Sequence, residues 1–293
     1  MRFSGSYVAL VTPFTKRGGI DEVALRRLVR SHLRAGTAGL VPCGSTGEAA
    51  TLTHEEYRRV IEIVLEESRG LLPVIAGVGT NATAKAVELA REAESLGVDA
   101  LLVLAPYYNK PTQEGLYQHF RAVARNTRLP VVVYNIPGRA AVNILPKTIL
   151  RIAKDCSNVV AVKEASGNVD QVSEIVAGAA KGFAVLSGDD SLTVPMMAVG
   201  AVGVISVVAN VMPRETAAMC AAALAGDFKK ARGLHLKLFP LVKALFVETN
   251  PIPVKAALEM MGLCGGTPRL PLTALTAASR PFLRRELAAR GLL

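Results

Sequence analysis

Eight times along the chain a short apolar run is followed by an amphipathic helical pattern, with a repeat of about thirty residues. That alternation restricts the chain to α/β folds built on a parallel sheet, because each strand must be returned to the same edge by a crossover helix. The strand candidates span residues 8–11, 39–42, 74–77, 100–105, 130–134, 159–162, 184–186 and 204–208. Between and after them, helical patterns cover 22–35, 55–68, 82–96, 114–126, 146–154, 169–179, 192–199 and 213–225. Eight units over this length favour closure into a (β/α)8 TIM barrel over an open doubly wound sheet. Helix starts are marked: Thr53-His54-Glu55-Glu56 has the form of a capping box, and Pro146 and Pro213 stand where a first turn accepts proline. After Gly226 the strands stop. Three helical stretches, 228–246, 253–261 and 271–289, predict a C-terminal helical extension over 227–293 appended to a barrel over 1–226.

Composition narrows the function classes. With 51% hydrophobic residues in 293, the chain can bury a large core. Residues 194–212 lack charge and approach a bilayer's thickness, but Pro195, Gly200, Gly203 and Asn210 break the run into a short helix, a turn and a buried strand. No membrane association is predicted. No apolar signal region precedes the first strand, which makes the cytoplasm the expected location. Cys43, Cys156, Cys220 and Cys264 are far apart, without ligand-type spacing to His32, His54, His119 or His235, so they read as reduced core thiols and no catalytic metal is implied. The net charge of +10 raises nucleic acid as a partner, yet the basic residues are interleaved with acids on helix faces, as in Asp21-Glu22-Val23-Ala24-Leu25-Arg26-Arg27. A diffuse positive field suits small anionic substrates better.

The most informative single residue is Lys163. It ends the apolar run 159–162, where burial would disfavour the ammonium, lower the pKa and leave a neutral amine able to attack a carbonyl. The ordinary alternative is a lysine that snorkels to solvent or pairs with Glu164. In a barrel the active site lies at the C-terminal strand ends, which here deliver Gly44-Ser45-Thr46-Gly47-Glu48, Tyr107-Tyr108-Asn109, Tyr134-Asn135-Ile136-Pro137-Gly138-Arg139, Lys163 and Ser187-Gly188-Asp189-Asp190. Tyr134 and Lys163 each end an interior-facing row of neighbouring strands, placing a phenol beside an amine. That pairing suits proton transfer during imine formation, and the Arg139 fork suits a carboxylate. The backbone of the 44–48 loop suits a second carboxylate.

These motifs, in this order and over essentially the whole length, resemble the dihydrodipicolinate synthase and N-acetylneuraminate lyase superfamily of Schiff-base aldolase-like enzymes. The resemblance implies that Lys163 forms an imine with pyruvate. It implies that Tyr134, Thr46 and Tyr108 form a proton relay, with Tyr108 reaching into a neighbouring subunit, and that Ser45, Thr46, Arg139, Gly188 and Ile205 bind substrate. Gly188 would lie close to pyruvate, and Ile205 would turn its carbonyl to the lysine amine. An arginine at position 139 marks the synthase branch, which condenses pyruvate with L-aspartate 4-semialdehyde in diaminopimelate and lysine biosynthesis. It implies a homotetramer and no cofactor. Ser45 stands where threonine is frequent and keeps the hydroxyl. In lysine-inhibited relatives an interface pocket carries a histidine, an asparagine, a tyrosine and a glutamate; His54, Asn81 and Tyr107 match. Lys85 occupies the glutamate's position and Tyr57 that of a second histidine, which predicts weak or absent inhibition by L-lysine.

Other readings remain at this level. Cleavage or dehydration of a 2-keto-3-deoxy sugar acid would share Lys163 and Tyr134, though Arg139 speaks against it. Gly77-Val78-Gly79-Thr80-Asn81-Ala82 has a weak likeness to a dinucleotide fingerprint but lacks the acidic residue after the next strand. Asn81-Ala82-Thr83 has the form of a glycosylation acceptor and reads instead as a helix cap.

Overall fold

The computed structural model describes residues 3–293, so Met1 and Arg2, part of the expected barrel span, lie outside the described residues. Among the described residues there are eight strands: β1 (Gly5–Ala9), β2 (Gly39–Val41), β3 (Ile75–Gly77), β4 (Ala100–Leu104), β5 (Val131–Asn135), β6 (Val159–Glu164), β7 (Ala184–Ser187) and β8 (Gly203–Ser206). All ladders are parallel, in the order β2-β1-β8-β7-β6-β5-β4-β3. The remaining seam, β2 to β3, is closed by a parallel bridge between Leu40 and Val74 and by a 3.1 Å bond from the Gly77 N–H to the Pro42 carbonyl. The sheet therefore forms a barrel.

Alternation along the strands sorts their side chains into two cores. Tyr7, Ala9, Val41, Ile75, Leu102, Val132, Tyr134, Ala161, Leu186 and Ile205 fill the interior. Val8, Leu40, Ala76, Leu101, Val103, Val133, Val162, Val185 and Val204 face the helices. Because both faces are buried, the strands read in sequence as unbroken apolar runs. Around them lie α1 (Glu22–Leu33), α2 (His54–Ser68), α3 (Thr83–Leu96), α4 (Gln113–Arg125), α5 (Pro137–Ala140), α6 (Pro146–Asp155), α7 (Val169–Gly178), α8 (Thr193–Ala198) and α9 (Pro213–Leu224). The capping box at Thr53 is complete, with the hydroxyl accepting from the Glu56 N–H and the Glu56 carboxylate from the Thr53 N–H. Past the barrel, α10 (Phe228–Leu245), α11 (Ile252–Met260) and α12 (Arg280–Ala288) stack on α8, α9 and one another. No helix is long and apolar enough to cross a membrane among the described residues.

The first strand runs over Gly5–Ala9 rather than 8–11, since the Val11 N–H donates to Asn210 Oδ1 instead of to a ladder, and four further details differ from the sequence reading. The strand over 204–208 stops at Ser206, because the Val207 and Val208 N–H groups donate to Asp190 Oδ2, both at 2.9 Å, and the chain turns. The helix expected over 271–289 begins only at Arg280, with Pro281 in its first turn. The short α5 was not foreseen; it carries Arg139. Asn81 does not cap α3, whose N-cap is Ala82, and its backbone carbonyl instead accepts from Asn109 Nδ2.

Candidate active site

Tyr134 and Lys163 are register partners on β5 and β6, so the alternation brings them together as their sequence positions suggest. The Lys163 amine lies 4.2 Å from the centre of the Tyr134 ring, and both side chains are buried. Burial lowers the lysine to about 7, opposed by the Asp190 carboxylate and reinforced by the Arg139 guanidinium. A large fraction of the amine is therefore neutral near neutral pH. The Tyr134 phenol is pushed up to about 12 by burial, against the smaller opposing effects of Arg139 and a hydrogen bond from Ser45. A phenol that holds its proton beside a neutral amine is arranged to donate that proton and recover it.

Room beside the amine comes from Gly188. A β-carbon there would lie 2.6 Å from Ala165 Cβ and 3.1 Å from Lys163 Cε, so any side chain would press on the lysine. Ile205, in β8, is buried in the interior layer. Asp190 is buried at the end of β8, where burial raises its carboxyl while the Ser206 hydroxyl and the Val208 and Val207 N–H bonds oppose that rise. On the other side of Lys163, Glu164 is buried and accepts from Asn135 Nδ2, Gln171 Nε2 and the Ser166 N–H. Those bonds fix the end of β6 and with it the root of the lysine.

The two adjacent hydroxyls of the 44–48 loop have different partners. Ser45 is the one that meets Tyr134. Thr46, 3% exposed, accepts a 2.9 Å hydrogen bond from Asn250 Nδ2. Ser45 is therefore the hydroxyl turned to Tyr134, while the Thr46 oxygen is engaged by Asn250. Arg139 lies on the exposed rim and donates from Nη2 to the Asn250 carbonyl at 2.7 Å. Tyr108, with φ 75° and 86% exposed, projects from the chain. Asn250 gave no signal in sequence, being 204 residues from Thr46. Asp190 closes the Ser187-Gly188-Asp189-Asp190 segment, but nothing local in the sequence points to its bonds with the β8 end.

A cavity of about 560 Å³ opens from Ser45 and Tyr134 towards α2 and α3, past His54, Tyr57, Lys85, Glu88, Glu92 and Tyr107. Its wall carries both signs of charge, Lys85 with Glu88 and Glu92, and Glu92 is held by His54 Nε2 at 3.1 Å and by Arg58 from outside the cavity at 3.2 Å. The glycines of the dinucleotide-like segment are accounted for by packing, since β-carbons at Gly77 and Gly79 would fall 2.1 Å from the Cys43 carbonyl and 2.2 Å from Leu104 Cβ. Among the described residues no three His, Cys, Asp or Glu side chains form a metal-holding group.

Residues 2–290 match the family model described as the dihydrodipicolinate synthetase family. A protein of Syntrophus aciditrophicus named 4-hydroxy-tetrahydrodipicolinate synthase is 52% identical over 291 residues, covering 99% of both chains. A protein of Pelobacter propionicus with the same name is 53% identical over 291 residues, covering 99% of this chain and 100% of its own. The crystal structure of dihydrodipicolinate synthase from Aquifex aeolicus superposes with a TM-score of 0.97 at 50% identity, covering 99% of each chain.

Proposed function

The chain belongs to the dihydrodipicolinate synthetase family, and from that premise we propose that it condenses pyruvate with L-aspartate 4-semialdehyde as a 4-hydroxy-tetrahydrodipicolinate synthase. The observation that carries the reading is a buried amine, lowered to about 7, in register with a buried phenol at the C-terminal end of the barrel. Neutral Lys163 attacks the pyruvate carbonyl, and loss of water leaves an imine whose methyl group gives up a proton to form the enamine. The enamine carbon attacks the aldehyde of the second substrate. The substrate's own amine then displaces Lys163 and closes the ring. Tyr134 gives and takes the protons, with Ser45 as the next hydroxyl in the relay. Thr46 and the loop N–H groups hold the pyruvate carboxylate, Arg139 the semialdehyde carboxylate, and Gly188 and Ile205 shape the floor.

We further propose that Tyr108 completes the relay of a second copy within a homotetramer, a reading supported by its 86% exposure on the single chain. The four free thiols, three of them buried, support a cytoplasmic setting. Borohydride treatment with pyruvate should add a reduced pyruvyl group to the wild type and not to Lys163→Ala, by intact mass, with turnover once semialdehyde is supplied. An adduct without turnover would move the chain to the sugar-acid reaction. No adduct would remove Lys163 from the chemistry.

A further inference from the structure

The C-terminal extension reaches the reacting groups through one side chain. Asn250, 5% exposed, lies between α10 and α11 and serves two sites at once. Its Nδ2 donates to Thr46 Oγ1 at 2.9 Å, and its backbone carbonyl accepts from Arg139 Nη2 at 2.7 Å. Thr46 and Arg139 are the groups proposed to hold the two substrate carboxylates, and a role for Asn250 at the site rests on that proposal.

A threonine hydroxyl has one proton and two lone pairs. With a lone pair occupied by the Asn250 amide, the Thr46 proton is directed away from Asn250 and is left to be donated. A hydroxyl fixed as a donor suits an anionic oxygen; one free to rotate would have to be oriented when substrate binds. The placement is braced nearby. Two residues beyond Thr46, Glu48 accepts from Lys255 Nζ at 2.6 Å and from the Arg269 N–H at 2.8 Å, so the turn is pinned to the extension at both ends. We infer that Asn250 is a positioning residue that fixes Thr46 as a hydrogen-bond donor to the pyruvate carboxylate and holds Arg139 in the same frame through its backbone.

The side chain and the backbone of Asn250 can be tested apart. Asn250→Ala removes the amide and keeps the carbonyl that holds Arg139. The KM for pyruvate should rise about tenfold, the effect of one lost buried hydrogen bond, while the KM for the semialdehyde and kcat stay within about twofold. Asn250→Asp matches the asparagine in size and carries the test if the alanine variant does not fold. Ionised, its carboxylate cannot donate and would take the Thr46 proton for itself. Its pyruvate KM relative to wild type should exceed that of the alanine variant at pH 8 and fall as the carboxyl is protonated, a dependence that a purely structural role would not produce. In a Thr46→Val background Asn250→Ala should add no further change in pyruvate KM. An unchanged pyruvate KM in both variants, or equal rises for both substrates without pH dependence, would overturn the inference. Borohydride trapping of the wild type separates the two levels: no adduct would remove the reading of the site, whereas an adduct with unshifted KM values would remove the role of Asn250 alone.

Discussion

Lys163 shows how function and stability oppose each other at a single residue. Unfolded, its amine titrates at the ordinary value of 10.5; folded, at about 7. Between those values the unfolded chain binds the extra proton, so stability rises with pH across that window and the cost of burying the lysine is fully present below it. Lys163→Met should therefore stabilise the fold by about 2–4 kcal/mol at pH 7, by denaturant titration, and the gain should shrink at pH 10. A gain that is equal at both pH values would mean that packing, not charge, is responsible. The same titration governs chemistry. Imine formation, followed by borohydride trapping at low pyruvate, should slow about tenfold per unit below pH 7 and level off above it. A flat profile from pH 5 to 8 would show an amine that is not held near neutrality.

At the scale of elements, what was legible in the sequence depended on how local its cause was. The eight strands were legible because burial on both faces writes itself as an apolar run, and Tyr134 beside Lys163 followed from alternation on β5 and β6. The end of β8 was not legible, since Val207 and Val208 continue the apolar run and only the distant Asp190 takes their N–H groups. Ser45 and Thr46 are equivalent in sequence; the fold distinguishes them by turning one to Tyr134 and the other to Asn250. The cavity between the β2–α2 turn, α2 and α3 combines both cases. Lys85 was readable as a cation where a cationic ligand would sit, but Glu88 and Glu92 on the same wall were not placed there by any motif. Glu92 is engaged by His54 and Arg58, which leaves it less able to attract an ammonium. L-Lysine should inhibit only at millimolar concentration or above in a steady-state assay, and Lys85→Glu should lower that concentration by at least about tenfold, one reversed charge contact. Micromolar inhibition of the wild type would overturn this reading.

For the molecule as a whole, the question is whether the helices after the barrel are an appendage or part of the catalytic frame. The answer lies in the Lys255–Glu48 pair, 2.6 Å apart with side chains 0% and 1% exposed, which joins α11 to the turn after β2. The lysine also lies 4.1 Å from the centre of the Phe14 ring, and Glu48 holds a left-handed backbone with φ 56°. Two charges removed from water are a weak source of net stability, because desolvation offsets most of their attraction, but either one left alone is costly. Lys255→Met should thus destabilise the protein by about 3–5 kcal/mol, since the Glu48 carboxylate would remain buried without its lysine partner, keeping the Arg269 N–H and the weaker attraction of the Arg269 guanidinium. Adding Glu48→Gln removes that stranded charge, and the double variant should recover at least half of the loss in chemical denaturation. If the pair acts only as a staple, the double variant regains both stability and pyruvate affinity. If it also sets the turn that carries Ser45 and Thr46, stability returns while the pyruvate KM stays raised, and the latter is the outcome expected. A double variant no more stable than Lys255→Met would show that packing around Phe14, and not the charge pair, ties the extension to the barrel.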